Sequence, residues 1–138
     1  MSGRAHQSFT DLDVWKSARK LKIRIWHLVK TFPSDEKFRL TDQLIRSSRG
    51  VSSMIAEGHG KFTYKDKINY CIMGRGSLNE TWNHLIDAMD SEYINKEELK
   101  SYKIDIDETA KLLNGYINFL RTLAEKEKDN KMIKNRIN

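Results

Sequence analysis

With one proline, one cysteine and seven glycines in 138 residues, the chain holds little from which to build a turn-rich or disulfide-held protein. A meander of short strands needs turn residues every few positions, and Pro33 with so few glycines does not supply them. The lone Cys71 excludes an intramolecular disulfide, and its place on an apolar helical face reads as a small core residue in a reducing compartment. No run approaches the roughly 18 apolar residues of a membrane span. The first residues also lack the charged start, apolar core and cleavage site of a secretory signal. A cytoplasmic protein with no membrane contact is expected.

Charge of one sign is scarce in the first half. Residues 1–75 carry 15 Lys and Arg against 7 Asp and Glu, a balance of +8, while residues 76–138 carry 10 against 12, a balance of −2. Such asymmetry is an electrostatic footprint suited to a polyanion.

What the chain has in abundance is helical periodicity. Val14, Ala18, Leu21, Ile25, Leu28 and Phe32 recur at alternating steps of four and three, the seam of a bundle helix over about 11–32, with Thr10 or Asp11 as its cap and Pro33 as its stop. A second helix begins in the stretch after Pro33, with Ser34 and Thr41 as possible caps, and runs through Leu40, Leu44, Ser48, Val51 and Ile55 to Gly58. Its centre is crowded with Ser and Gly, poor helix formers that suit close packing. Gly58 and Gly60 are read as a left-handed helix end. The third helix starts after Thr63 in capping-box spacing to Asp66 and uses Ile68, Cys71, Leu78, Trp82, Leu85 and Met89, to about Asp90. The fourth opens with Asn95 and Glu98 in the same spacing and carries Leu99, Tyr102, Ile106, Thr109, Leu113, Tyr116, Leu120 and Leu123.

Short connections between long helices predict an all-α, antiparallel, up-down-up-down four-helix bundle over residues 11–127. Residues 1–10 are expected to be flexible, and the charged stretch 128–138 to be a disordered tail.

Catalytic chemistry finds no foothold. The histidines His6, His27, His59 and His84 are scattered, there is no Glu-x-x-His pair, and no HExxH arrangement occurs, so neither a metal nor any other cofactor is expected. No serine sits in a nucleophile elbow or a Ser-x-x-Lys pattern, and the Glu57–Lys61 stretch lacks the spacing of a phosphate-binding loop. Arg75 falls on the arc of Ile68, Leu78 and Trp82 and needs a carboxylate there; Glu57, Asp42 and Glu80 are the candidates for a structural ion pair. An enzyme would require Glu57, Arg75 and Glu80 to converge on an open cavity.

The first helix carries the strongest surface signal. Lys16, Arg19, Lys20, Arg24, His27 and Lys30 fall within an arc of roughly 140° opposite the seam. Lys16, Arg19, Lys20, Arg24 and Lys30 are candidate phosphate contacts, with Arg49, Lys61 and Lys65 as secondary ones. Trp15, Lys22 and Trp26 lie between that face and the seam, and Ile23 projects from the face itself. Trp15, Ile23 and Trp26 are therefore candidate subunit contacts of a homo-oligomer. The alternative reading is a protein-interaction scaffold whose basic face meets an acidic protein.

Two stretches stand apart from the periodicity: SSMIAEGHGK, Ser52 to Lys61, and GSLNE, Gly76 to Glu80. With Phe9, Leu12, Val14 and Trp15, then Phe32, Pro33 and Glu36, then Leu40, Thr41, Gln43 and Arg46, they form a spaced set. That set resembles the bacterial four-helix-bundle family encoded in intervening sequences of 23S rRNA genes, also described as ribosomal-protein-like. The family often reads Pro-Ser-Asn before Ile-Ala-Glu-Gly, where this chain has Ser52, Ser53 and Met54. The family is also similar in fold to the accessory variability protein of diversity-generating retroelements, a barrel-like homopentamer that binds nucleic acid and a reverse transcriptase. The resemblance implies a non-enzymatic accessory protein, a homopentamer, and RNA or DNA and a reverse transcriptase as partners.

Overall fold

The computed structural model describes residues 8–137, and four helices account for most of them: α1 (Asp13–Val29), α2 (Leu40–His59), α3 (Tyr64–Asp90) and α4 (Lys96–Ile137). Short 3₁₀ turns at Phe9–Asp11 and Ser34–Glu36 precede α1 and α2. Consecutive helices pack side by side and α4 closes the square against α1, while the backbones of the two diagonal pairs stay farther apart. Lys22 meets Ser52 across α1 and α2, Gly58 meets Tyr70 across α2 and α3, Arg75 meets Asn114 across α3 and α4, and Arg24 meets Asp105 across α4 and α1. A second pair at each interface, Trp26–Arg49, Ser47–Thr81, Trp82–Lys103 and Ser17–Thr109, advances along one helix as it retreats along the other, so the bundle is antiparallel throughout, as predicted. No described helix is long and apolar enough to cross a membrane.

The predicted seams line the core, buried throughout on α1 and α2, whereas Ile68, Trp82, Met89, Leu99, Tyr116 and Leu123 of α3 and α4 are half-buried. Val14, Ala18, Leu21, Ile25, Leu28 and Phe32 are all buried, as are Leu40, Leu44, Val51 and Ile55 opposite them. Cys71, Leu78 and Leu85 complete the centre from α3, and Tyr102, Ile106, Leu113, Ile117 and Leu120 from α4. Burial pushes the Cys71 thiol up to about 11 and the nearby Tyr116 phenol up to about 12, since a charge is unwelcome in that apolar setting.

The closest partnership is between α2 and α3, and small residues permit it. A Cβ on Gly58 would stand 2.9 Å from Tyr70 Cβ and 3.1 Å from the Lys67 carbonyl oxygen. Gly74 sits against Met54 and Val51, and Gly50 against Ser77. Further along, the Thr81 hydroxyl lies 2.9 Å from both Ser47 Oγ and its own-helix acceptor Ser77 O. The Ser- and Gly-rich centre of α2 is therefore a contact stripe, and its hydroxyls are satisfied locally, Ser48 donating to Ile45 O and Ser52 to Arg49 O.

Several boundaries differ from the sequence expectation. Neither Thr10 nor Asp11 caps α1; both lie in the preceding 3₁₀ turn, which Ser8 caps by accepting from the Thr10 N–H. Arg39 occupies the N-cap of α2 without a side-chain bond, so neither Ser34 nor Thr41 has that role. Thr63 accepts from Asp66 N–H and Asn95 exchanges bonds with Glu98, both as predicted. No glycine has positive φ among the described residues; Gly60 ends α2 with ordinary right-handed angles, and Gly58 is required for close approach instead. The left-handed position falls on Glu92 (φ 64°), where Tyr93 N–H reaches Ala88 O and Glu92 N–H reaches Met89 O to close α3 in a Schellman pattern.

The charged stretch after Glu127 is helical as far as Ile137, continuing α4 as a solvent-exposed extension. Glu127 and Lys131 pair at 3.4 Å in the favoured i,i+4 order, and the segment is rich in good helix formers. At 1.5 Å per residue, α4 is about 60 Å long against about 40 Å for α3. Of the flexible N-terminus expected over residues 1–10, residues 1–7 lie outside the described residues, as does position 138 of the tail, while Ser8, Phe9 and Thr10 belong to the capped 3₁₀ turn ahead of α1.

Gly58→Ala should lower stability by about 1–3 kcal/mol through the Tyr70 and Lys67 clash. Gly76→Ala, where a Cβ meets nothing within 4 Å, should raise it by about 0.5–1 kcal/mol. Urea unfolding of the two variants reads both signs, and equal effects would contradict the close-approach account.

A candidate nucleic-acid interface

The basic arc of α1 divides in two once its neighbours are in place. On the α4 side, Arg24 Nη1 donates to Asp105 Oδ2 at 2.6 Å and to the Ser101 carbonyl at 3.3 Å, while Nη2 donates to Ser101 Oγ at 2.9 Å. Its guanidinium lies 4.1 Å from the Tyr102 ring centroid. Burial raises the Tyr102 phenol above its ordinary pKa even though Arg24 pulls it down. Arg24 thus ties α1 to α4, and a phosphate reaching its guanidinium would have to compete with Asp105. Lys20 Nζ stands 3.6 Å from Asp105 Oδ1 but keeps 71 % of its side chain exposed, so it remains reachable. Asp105 itself is buried on the seam side of α4, three residues after Tyr102 and four before Thr109. An acidic residue at that phase was the available sequence signal for an ion pair, and it was missed. Beside it, Ser17 and Thr109 hydroxyls meet at 2.7 Å.

On the α2 side the cations are left without acids. Trp15, Arg19, Lys22, Trp26 and Lys30 follow one another at steps of four, three, four and four, and so run as a single stripe along α1. Arg49 joins them from α2. Its guanidinium is 5.5 Å from the Trp26 ring centroid and Lys30 Nζ is 4.9 Å from it, whereas Arg19 and Lys22 stand 6.0 and 5.9 Å from the Trp15 ring. Lys22 Nζ donates to Ser52 Oγ at 3.0 Å. Its pKa is lowered by partial burial first, and then by the positive charges of Arg19 and Arg49. Among the described residues no carboxylate pairs with Arg19, Lys22, Lys30 or Arg49.

The other candidates surround this stripe. Lys16, Arg19, Lys20, Ile23 and Arg24 line a shallow depression of about 300 Å³. Lys61 and Lys65 sit at the α2–α3 turn, Lys61 Nζ lying 4.8 Å from the Tyr70 ring, at the end of the bundle where α1 begins. Of the three expected subunit contacts, Trp15 is half-buried, edge-on to Phe9 at 5.3 Å and packed on the core. Ile23 and Trp26 are exposed, at 42 % and 43 %.

Arg75 finds an amide where a carboxylate was expected: it is half-buried and donates to Asn114 Oδ1 at 3.1 Å. Glu57 and Glu80 are both exposed, and neither forms a salt bridge to Arg75. Glu57 lies level with Tyr70, ten residues or about 15 Å along the axis from Glu80, so the three do not converge on one cavity. Glu80 instead lies 3.8 Å from His84. No group of three or more His, Cys, Asp or Glu able to hold a metal occurs among the described residues.

Residues 10–115 match the family model described as 23S rRNA-intervening sequence protein, and the chain belongs to that family. Among solved structures, a protein of unknown function from the S23 ribosomal protein family of Bacteroides thetaiotaomicron is similar over 75 % of this chain and 97 % of its own, at 28 % identity and a TM-score of 0.69. No curated protein matches the sequence. The whole stripe lies inside the matched span, whereas the end of α4 lies beyond it.

Asp105→Ala should cost about 1–3 kcal/mol in chemical denaturation, because Arg24 loses its acceptor at a partly buried site. Arg19→Ala, exposed and without an acid partner among the described residues, should stay within about 0.5 kcal/mol of the parent. A neutral Asp105→Ala would return Arg24 to the free surface.

Proposed function

We propose that this member of the 23S rRNA-intervening sequence protein family is a non-enzymatic accessory protein that binds RNA or DNA through backbone phosphates at the α1–α2 edge. The observation that carries the reading is the stripe of Arg19, Lys22, Lys30 and Arg49, four cations gathered around two tryptophans with no carboxylate partner among the described residues. Fixed cations of this kind gain affinity for a polyanion by releasing its condensed counterions. Lys16 and Lys20 border the stripe, and Lys61 and Lys65 extend it toward the α2–α3 turn. Neither the family's description nor that of the structural neighbour names a reaction.

Self-association belongs to the same proposal, with five copies by the fold resemblance, and Ile23 is the exposed apolar group offered to a neighbouring copy. Trp26 is assigned to the nucleic acid, because a neighbouring copy laid over it would bury the Lys30 and Arg49 charges that rest on its ring. In the cytoplasm such a particle would accompany ribosomal RNA processing or a reverse transcriptase.

Arg19→Glu, Lys30→Glu and Arg49→Glu together should weaken binding of a structured RNA by at least about 100-fold, and the parent should lose affinity with salt at a log–log slope of roughly −3 to −4, as four phosphate contacts require. Lys111→Glu on α4 should leave both unchanged. Electrophoretic mobility and anisotropy titrations over a salt series read the result; unaltered affinity in the triple variant would sink the reading. An acidic polypeptide that competes as well as the RNA would favour a protein scaffold in its place.

A further inference from the structure

Four observations converge on the side of Trp26. Its indole is 43 % exposed in the middle of a cationic stripe, so a large flat apolar surface stands where the chain itself makes no further use of it. Two flexible cations, Lys30 and Arg49, rest against the ring at 4.9 and 5.5 Å, held by the π-system and with no acid partner among the described residues. Arg19, Lys22, Trp26 and Lys30 advance at steps of about 4.5, 6 and 6 Å along α1, so the ring stands between cations roughly one helical turn away on either side. The apolar surroundings are thin, Ile23 being the one exposed aliphatic neighbour on that side of α1, which is too little to enter a lipid surface.

Resting on the nucleic-acid reading above, we propose that the ligand of this stripe is a single-stranded polynucleotide, with one unpaired base stacked on Trp26 and the flanking phosphates held by Arg19, Lys22, Lys30 and Arg49. A duplex keeps its bases inside its own stack and presents only backbone to a helix lying along it, so the indole would gain nothing from it. A single strand offers π-faces and phosphates together, and each face can be taken by an aromatic side chain irrespective of sequence. On binding, the Lys30 and Arg49 side chains exchange the ring for phosphate oxygens, which their lack of a fixed carboxylate partner permits.

The test uses the full chain and fluorescein-labelled oligouridylate and oligothymidylate of about twelve nucleotides, a duplex of the same length, and an abasic strand of the same charge, all at one salt concentration. Both base-bearing single strands should bind at least about 10-fold more tightly than the duplex or the abasic strand. Trp26→Ala should lose about 5- to 150-fold of the single-strand affinity, the range one stacked base spans, with duplex and abasic binding unmoved; Trp26→Phe should recover most of the loss. Circular dichroism of the exposed-site variants confirms their folding. Equal affinity for all four ligands, unaffected by Trp26→Ala, overturns the stacking proposal and leaves a phosphate-only surface standing. Absence of binding to every ligand overturns the underlying nucleic-acid reading itself.

Discussion

The close approach of α2 and α3 is the constraint on which the remaining geometry depends. Gly58, Gly74 and Gly50 remove side chains where the two backbones come nearest, and the Ser47–Thr81 contact satisfies the polar groups that such an approach buries. Thin residues on one side of α2 leave its larger ones, Leu44, Val51 and Ile55, to fill the centre with α1 and α4. The α1–α4 contact is less extensive and more polar, closed by Arg24, Asp105, Ser101, Ser17 and Thr109. A bundle so arranged is held tightly along one edge and tied by charge along another.

That division decides which cations are free. Residues at the two ends of one basic arc have opposite fates, Arg24 turning toward a buried acid on α4 while Arg19 and Lys30 turn toward an α2 edge that offers serines and Arg49. Formal charge on a helical wheel treats these positions alike. The cations without an acid partner among the described residues therefore lie closer to the α1–α2 groove than the centre of the basic arc, with Lys22 among them and Arg24 drawn to α4.

Apolar periodicity was enough to read the four helices, their antiparallel order and nearly every core position, because burial of one stripe per helix is a local property of the sequence. The Thr63 and Asn95 caps were legible for the same reason, each bond being made within four residues. What escaped was non-local or cooperative. Asp105 acquires its meaning only when α4 is laid beside α1, and Arg75 chooses Asn114 through the α3–α4 register. The glycines after Ile55 looked like a helix stop, yet Gly58 is explained by Tyr70 and Lys67, residues beyond the turn, while the true left-handed position fell on Glu92. The helical end of α4 shows that high charge does not oppose a helix when its i,i+4 pairs are complementary.

The central claim is that one edge of the bundle, formed by the exposed sides of α1 and α2, is the surface that meets nucleic acid. A backbone-amide NMR titration of the isotopically labelled protein with a single-stranded oligonucleotide tests it residue by residue. The account predicts perturbations concentrated over Trp15–Lys30 and over Arg46–Ser53, with the indole resonance of Trp26 among the largest and the exposed side of α4 silent. Shifts centred on α4, or absent from the Trp26 indole and the Arg49 region at saturation, would contradict it.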